Sequence, residues 1–233
     1  MLLRPRHLEH RVAGHSVPQG GTTSAFTYAG TNSKELLRAT HQGGYNYSFV
    51  YGKTDQAGLP EIEQVTLGGI STPAYIQHDP ATGAPLLIQT TNGINCLYMT
   101  DITGNPILLA TDFQTTSYAE HFDPYGAATQ TAGGSNGGTA ANPYQVHFGL
   151  QDRTTGNVKF GGRYLDPTTG TWTQQDTYNA PLDPGNANRY LYAAGDPINS
   201  ADLSGRFSFD EVLGAVGEAF SALPACFAWR GRG

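Results

Sequence analysis

Short stretches rich in aromatic and β-branched residues recur along residues 25–130, with small polar segments between them. They include 45–51, 75–77, 97–99 and 118–122, and in 45–51 aromatic residues occupy every second position. Runs of this length and composition between turn residues are typical of β-strands. The pattern therefore predicts a series of strand, turn, strand units.

The segments between these stretches begin with Asp and end with Gly. Asp accepts a backbone N–H two residues further on and Gly takes the positive φ that other residues avoid, so each segment is predicted to be a hairpin turn. The first four recur every 22 to 24 residues, and the full set is Asp55–Gly58, Asp79–Gly83, Asp101–Gly104, Asp123–Gly126, Asp152–Gly156 and Asp166–Gly170. A unit this short cannot bury its own face, so neighbouring hairpins are expected to form one curved or spiral antiparallel sheet. We interpret these aspartates as structural.

Composition supports an all-β fold and excludes several functions. The 233 residues include 30 Gly and 14 Pro but only 14% charged residues, which argues against a helical bundle. The formal net charge of −6, without a basic block beyond the first residues, argues against nucleic-acid binding. No apolar run has the length of a membrane span or of a signal peptide. The two cysteines, Cys96 and Cys226, are too few for a disulfide framework.

These patterns divide the chain into five segments. The expected organisation is a disordered lead-in, a repeat sheet, an exposed loop rich in Gly, Ser and Ala, a second domain and a variable tail, over residues 1–24, 25–130, 131–143, 144–206 and 207–233 respectively. In the tail, Ser208 and Glu211 form a capping box, and apolar residues follow at helical spacing until Pro224. We expect one amphipathic helix over 208–223.

The chain resembles RHS (rearrangement hotspot) proteins, first through its tyrosine–aspartate (YD) repeats. The C-terminal third carries a more specific signal, because the run Arg163-Tyr-Leu-Asp-Pro-Thr-Thr-Gly170 is similar to the Arg-aromatic-x-Asp-Pro-x-x-Gly mark of the RHS repeat-associated core domain. The similarity continues through Trp172 and Asp176, and ends at the closing motif around Asp202-Leu-Ser-Gly205. Strong matching covers 148–205.

The resemblance implies the C-terminal end of a toxin or cell-surface shell protein. In that family, spirals of YD repeats enclose a toxic C-terminal segment, and the core domain closes the shell and cuts the chain behind it. The family pattern would place an aspartate dyad at Asp176 and Asp202, a supporting arginine at Arg163, and the cut between Arg206 and Phe207. Asp166, Pro167, Gly170 and Gly205 would form structural turns.

The chemistry of two neighbouring carboxyl groups agrees with that assignment. Like charges in contact favour a shared proton, so one group can activate water while the other polarises a carbonyl, and a fixed guanidinium can orient the pair. The sequence departs from the family where Thr177, Leu203 and Arg206 replace the usual Pro, Pro and Leu. Two functions stay open: a self-cleaving core with no expected activity on other chains, or a non-catalytic structural or carbohydrate-binding module.

No cofactor is expected, and the histidines lack the close ligand spacing of a metal site. The expected partners are the chain's own C-terminal tail and the remainder of an RHS shell, with a carbohydrate or a delivery protein as a further possibility. The resemblance implies a secreted or cell-surface location.

Overall fold

The computed structural model describes residues 12–19, 22–30, 34–55, 58–68, 73–90, 93–111, 116–133, 141–176 and 187–205. They form two antiparallel sheets of eleven and four strands, with no α-helix among the described residues. The larger sheet consists of β1 (Val12–Gln19), β2 (Thr22–Ala29), β3 (Glu35–His41), β4 (Tyr47–Thr54), β5 (Pro60–Leu67), β6 (Ala74–His78), β7 (Pro85–Gln89), β8 (Asn95–Thr100), β9 (Pro106–Thr111), β10 (Thr116–Phe122) and β11 (Ala128–Gly133). This architecture confirms the all-β prediction.

Strands of the larger sheet follow one another in chain order, so every connection is a hairpin. The Asp–Gly turns close as the residue pattern predicts: Asp101 Oδ1 accepts the Thr103 N–H at 2.9 Å, and Gly104 has a φ of +84°. Asp79 and Asp123 accept the N–H two residues further on in the same way. Local turn chemistry therefore accounts for the repeating hairpins.

One face of the larger sheet is apolar and buried. Cross-strand partners Phe49, Val65 and Ala74 lie side by side on it, and all three are buried. The opposite face leaves Tyr75 and Leu97 about half exposed. This division follows from the period of two along each strand, which sends alternate side chains to opposite faces.

The smaller sheet belongs to what we call the C-terminal unit, residues 141–176 and 187–205. The sheet consists of β12 (Leu150–Gln151), β13 (Val158–Phe160), β14 (Arg163–Asp166) and β15 (Thr171–Trp172). The unit also contains two short 3₁₀ helices, Val146–Phe148 and Tyr192–Gly195. The core of this unit contains the rings of Phe160, Trp172 and Tyr192, whose centroids are 5.3 to 6.2 Å apart; Trp172 meets the other two edge to face. Interlocked aromatic rings hold these short strands together.

The C-terminal unit packs on the buried face of the larger sheet. Its Tyr144 and Tyr164 belong to the same hydrophobic core as the large-sheet residues. Tyrosine hydroxyls add polar links across this contact, because Tyr28 Oη lies 3.2 Å from Tyr164 Oη and Tyr98 Oη donates to Asn142 Oδ1 at 2.8 Å. The repeat tyrosines thus serve packing as well as strand formation.

In two segments the described residues differ from the expectation. The lead-in over residues 1–24 contains strand β1 and the beginning of β2, which pair in full register from Val12–Ala29 to Gln19–Thr22. These strands are separated by Gly20 and Gly21, a two-residue spacing that favours a tight hairpin.

The expected exposed loop over 131–143 differs at its two ends, and residues 134–140 lie outside the described residues. Strand β11 runs to Gly133, and residues 141–143 are buried. Ala141 is buried in the core of the larger sheet, and Asn142 accepts the hydrogen bond from the Tyr98 hydroxyl described above. The helix expected over 208–223 lies outside the described residues. Among the residues that the structure does describe, no helix has the length and apolar character needed to cross a bilayer.

Candidate active site in the C-terminal unit

Arg163 brings together three parts of the chain that are distant in sequence. It begins strand β14, is 6% exposed, and its Nη2 lies 2.8 Å from both Asp176 Oδ2 and Asp202 Oδ2. Its Nε donates to the Gly205 carbonyl at 2.5 Å. The three residues that the family resemblance selects therefore form one buried cluster with Gly205 at its edge.

Asp176 is held through its backbone. Its N–H donates to the Arg189 carbonyl at 3.0 Å, and Arg189 Nε returns a hydrogen bond to the Asp176 carbonyl at 2.8 Å. These reciprocal bonds fix the segment after β15 and leave the Asp176 carboxylate directed at Arg163. The Arg189 contribution is absent from the sequence interpretation, since nothing in its spacing marks it as a partner of Asp176.

Asp202 lies on the closing segment that ends at Gly205. Ser204 Oγ donates to Asp202 Oδ1 at 3.1 Å, and the Gly162 N–H donates to the Ser204 carbonyl at 3.3 Å. Gly205 has a φ of +62°, and a β-carbon there would overlap the Phe160 carbonyl. Only glycine permits so close an approach of the closing segment to the turn between β13 and β14.

Trp172 covers the charged cluster. The Arg163 guanidinium carbon lies 4.2 Å from the centre of its ring, a cation–π distance, and the Trp172 side chain is 2% exposed. Burial lowers the pKa of Arg163, while the charges of Asp176 and Asp202 act in the opposite direction. Burial also raises the pKa of the nearby Tyr192, with a further contribution from the Asp202 charge. The cluster is therefore largely withdrawn from water, and the interactions among its charges are strengthened.

Asp166 takes no part in this cluster. Its Oδ1 accepts the Thr168 N–H at 2.9 Å and its carbonyl accepts the Gly170 N–H at 2.9 Å, while Pro167 between them is buried. Gly170 has a φ of +66° and packs against the Tyr125 ring. These contacts are those of a hairpin turn. Asp166 therefore stabilises a turn, whereas Asp176 and Asp202 bind Arg163.

The two residues of the expected cleavage site, Arg206 and Phe207, lie outside the described residues. Gly205 is the last residue before them, and its carbonyl is bound by Arg163. Among the described residues, no group of three His, Cys, Asp or Glu side chains could hold a metal ion. The described cluster presents two carboxyl groups and one guanidinium.

No family model and no curated protein matches the sequence. Solved structures do: a crystal structure of TcdB2-TccC3-Cdc42 is 16% identical, with a TM-score of 0.58, over 86% of this chain and 10% of that chain. TcdB2-TccC3 without its hypervariable C-terminal region is 17% identical, with a TM-score of 0.43, over 86% and 8% of the two chains. A Tc holotoxin pore of Photorhabdus luminescens is 17% identical, with a TM-score of 0.44, over 83% and 8%.

The first of these matches shows an RHS-related fold. This chain spans about a tenth of the length of that relative.

Proposed function

We propose that this chain, with its RHS-related fold, is a fragment of an RHS-type toxin or cell-surface shell protein whose C-terminal unit cuts its own chain after Arg206. The main support for the proposal is the set of contacts that Arg163 makes. Its Nη2 binds both carboxylates, and its Nε donates to the Gly205 carbonyl. One guanidinium therefore fixes the acid pair relative to the backbone that leads into the Arg206–Phe207 bond.

The two carboxyl groups would divide the work of hydrolysis. In the proposed mechanism one carboxyl group of the pair acts ionised and the other acts protonated. The ionised carboxylate takes a proton from water, whose oxygen attacks the carbonyl carbon of Arg206, while the protonated group donates to the carbonyl oxygen. The C–N bond then breaks and the Phe207 nitrogen takes up a proton, which leaves a carboxylate on Arg206 and an amine on Phe207.

The tether supplies the substrate. Because the bond to be cut belongs to the same chain as Gly205, which Arg163 already binds, the reaction would need no separate binding step. The reaction is therefore intramolecular, and we expect no activity on other polypeptides.

Hydrogen bonds can replace the two prolines that the family usually carries after its aspartates. Here Thr177 and Leu203 occupy those positions. Asp202 is oriented instead by Ser204 and Arg163, and Asp176 by its backbone exchange with Arg189. These contacts supply the preorganisation that a fixed φ would otherwise give.

Intact mass under denaturing conditions tests the proposal, because cut pieces can stay together in the native state. The purified chain is expected to lack residues 207–233, whereas Asp176→Asn and Asp202→Asn should remain whole. Asp166→Asn is the matched control, since it changes a turn aspartate outside the cluster and should be cut like the parent. Cutting in all four proteins would identify a contaminating protease that recognises Arg206.

A non-catalytic plug is the second candidate, and one observation favours it. Two buried ion pairs join Arg163 of β14 to Asp176 after β15 and to Asp202 on the closing segment. Such a link could stabilise a domain that closes a shell and cuts no bond. A single uncut mass in the parent and in every variant would establish this function in place of cleavage.

The same proposal assigns partners and a location. In a shell, further strands would pair with β1 and β11, which each have one neighbour in the described sheet. The resemblance of the sequence motifs to RHS proteins supports assembly with other parts of a shell and secretion or display at a cell surface.

A further inference from the structure

Lys159 is a buried cation in the middle of strand β13. Its side chain is 3% exposed, and its Nζ donates to the Lys34 carbonyl at 3.0 Å and to the Gly161 carbonyl. The Tyr28 ring centre lies 5.9 Å from Nζ. Among the described residues no carboxylate forms an ion pair with it. Burial lowers the pKa of Lys159 to about 7.

An unpaired buried ammonium is an unfavourable choice for packing alone. Removing such a charge from water is unfavourable, and an apolar side chain of the same length would fill the space without that cost. Residues that break a local rule in this way tend to lie at functional sites. The contacts of Lys159 indicate which function this residue supports.

One of the two carbonyls that Lys159 binds belongs to the turn beneath the closing segment. Gly161 has a φ of +45°, and a β-carbon on it would overlap the Ser204 carbonyl. The next residue, Gly162, donates its N–H to that same Ser204 carbonyl. The turn at 161–162 is therefore the surface on which Ser204 and Gly205 rest.

The other carbonyl belongs to the larger sheet. Lys34 directly precedes strand β3, so Lys159 ties the turn of the C-terminal unit to a strand end on which the unit packs. Arg163, four residues further along the chain, holds the Gly205 carbonyl from the opposite end of the same turn. Lys159 therefore joins the turn to the larger sheet, and Arg163, directly after the turn, binds the closing segment that lies on it.

We propose that Lys159 is a positioning residue for the cleavage reaction: its ammonium anchors the turn at 161–162 to the larger sheet, and the anchored turn holds Ser204 and Gly205 in line with Arg163 and the two aspartates. This inference rests on the proposed function. In this role Lys159 acts through the Gly161 carbonyl and takes no chemical part in the reaction. Small displacements of a tethered bond from its reactive geometry slow a reaction strongly.

The test compares Lys159→Met, Lys159→Arg and the exposed control Lys53→Met in the full 233-residue chain. Each protein is made by cell-free synthesis, and release of residues 207–233 is followed over time by denaturing mass spectrometry. Melting temperatures are measured in an Asp176→Asn background, so that cleavage does not alter the molecule whose stability is compared. Parent and Asp202→Asn reactions run alongside.

Lys159→Met is expected to cleave at about one tenth of the parental rate or below. Its melting temperature should be unchanged or higher, because a buried charge has been removed. Lys159→Arg should recover part of the rate by restoring a cationic donor, and Lys53→Met should match the parent.

Two results would overturn the assignment: Lys159→Met cutting at the parental rate, or a slowing fully explained by a smaller folded fraction. A parent that is never cut would instead refute the proposed function, a result that the parent reaction shows directly.

Discussion

Glu120 is a buried carboxyl group in strand β10 of the larger sheet. Its side chain is 4% exposed, Tyr118 Oη donates to its Oε2, and its Oε1 has no hydrogen-bond partner in the described part of the chain. Burial raises the pKa of Glu120 to about 7. The folded protein therefore binds a proton there between about pH 4.5 and 7 that the unfolded chain releases.

This difference predicts a pH-dependent effect of Glu120→Gln. Since the folded-state pKa is raised, ionisation of Glu120 destabilises the fold as pH rises through that window, and the full penalty is present above pH 7. We expect Glu120→Gln to raise the free energy of unfolding at pH 8 by an amount on the order of 3 kcal/mol, and by almost nothing at pH 4. Urea unfolding at both pH values measures the change.

The exposed Glu63 provides the matched control, because Glu63→Gln removes a charge of the same kind from the surface of the same sheet. It should alter the free energy of unfolding by less than about 0.5 kcal/mol. An equal gain from Glu120→Gln at pH 4 and pH 8 would show that packing, and not ionisation, causes the effect.

At the scale of elements, hairpin turns have two separate duties. Gly104 and Gly126 both close Asp–Gly turns with φ near +85°. A β-carbon on Gly104 would meet nothing within 4 Å, whereas one on Gly126 would overlap the Val146 side chain of the C-terminal unit. The turn at Gly104 only reverses the chain, whereas the turn at Gly126 also packs against Val146 of the C-terminal unit.

Alanine substitutions separate these duties. Gly104→Ala should lower the free energy of unfolding by about 1 to 2 kcal/mol, the cost of a left-handed conformation for a residue with a β-carbon. Gly126→Ala should lower it by more, on the order of 3 kcal/mol, because Val146 must also move. Chemical denaturation of both variants gives the comparison, and equal losses would mean that the contact with Val146 is readily relieved.

Elements could be predicted from the sequence where the deciding interactions are local. The Asp–Gly turns depend on residues two to four positions apart, so the hairpins follow from the residue pattern. Strand β1 was missed because its Gly-Gly connection carries no aspartate. Lys159 and Arg189 were missed because their partners, Lys34 and the Asp176 backbone, are brought to them only by the packed fold.

The candidate site lies between these cases. Its three residues are 13 to 39 positions apart, and no local rule brings them together; the family motif selected them, and the structure places them in contact. The mutual geometry of Asp176 and Asp202, set by one arginine nitrogen, could not be read from spacing.

As a whole molecule, the chain presents an open sheet. Strands β1 and β11 lie at the two edges, and each pairs with one neighbour among the described strands. Residues of β11 are exposed along its entire length. Unpaired strand edges of this kind present free N–H and C=O groups to other chains.

The isolated chain is therefore expected to self-associate by edge-to-edge pairing. Size-exclusion chromatography with light scattering should show masses above the 24.8 kDa of one chain, increasing with concentration. Replacing Thr129 and Thr131 of β11 with Lys should shift the distribution toward monomer, because charges on an edge strand oppose pairing. The same two charges placed in exposed turns, as Thr82→Lys and Thr168→Lys, change net charge equally and should leave association in place. A sharp monomer peak for the parent would contradict an open edge that needs a partner strand. If both pairs of lysines shift the mass distribution equally toward monomer, net charge and not edge pairing controls the association.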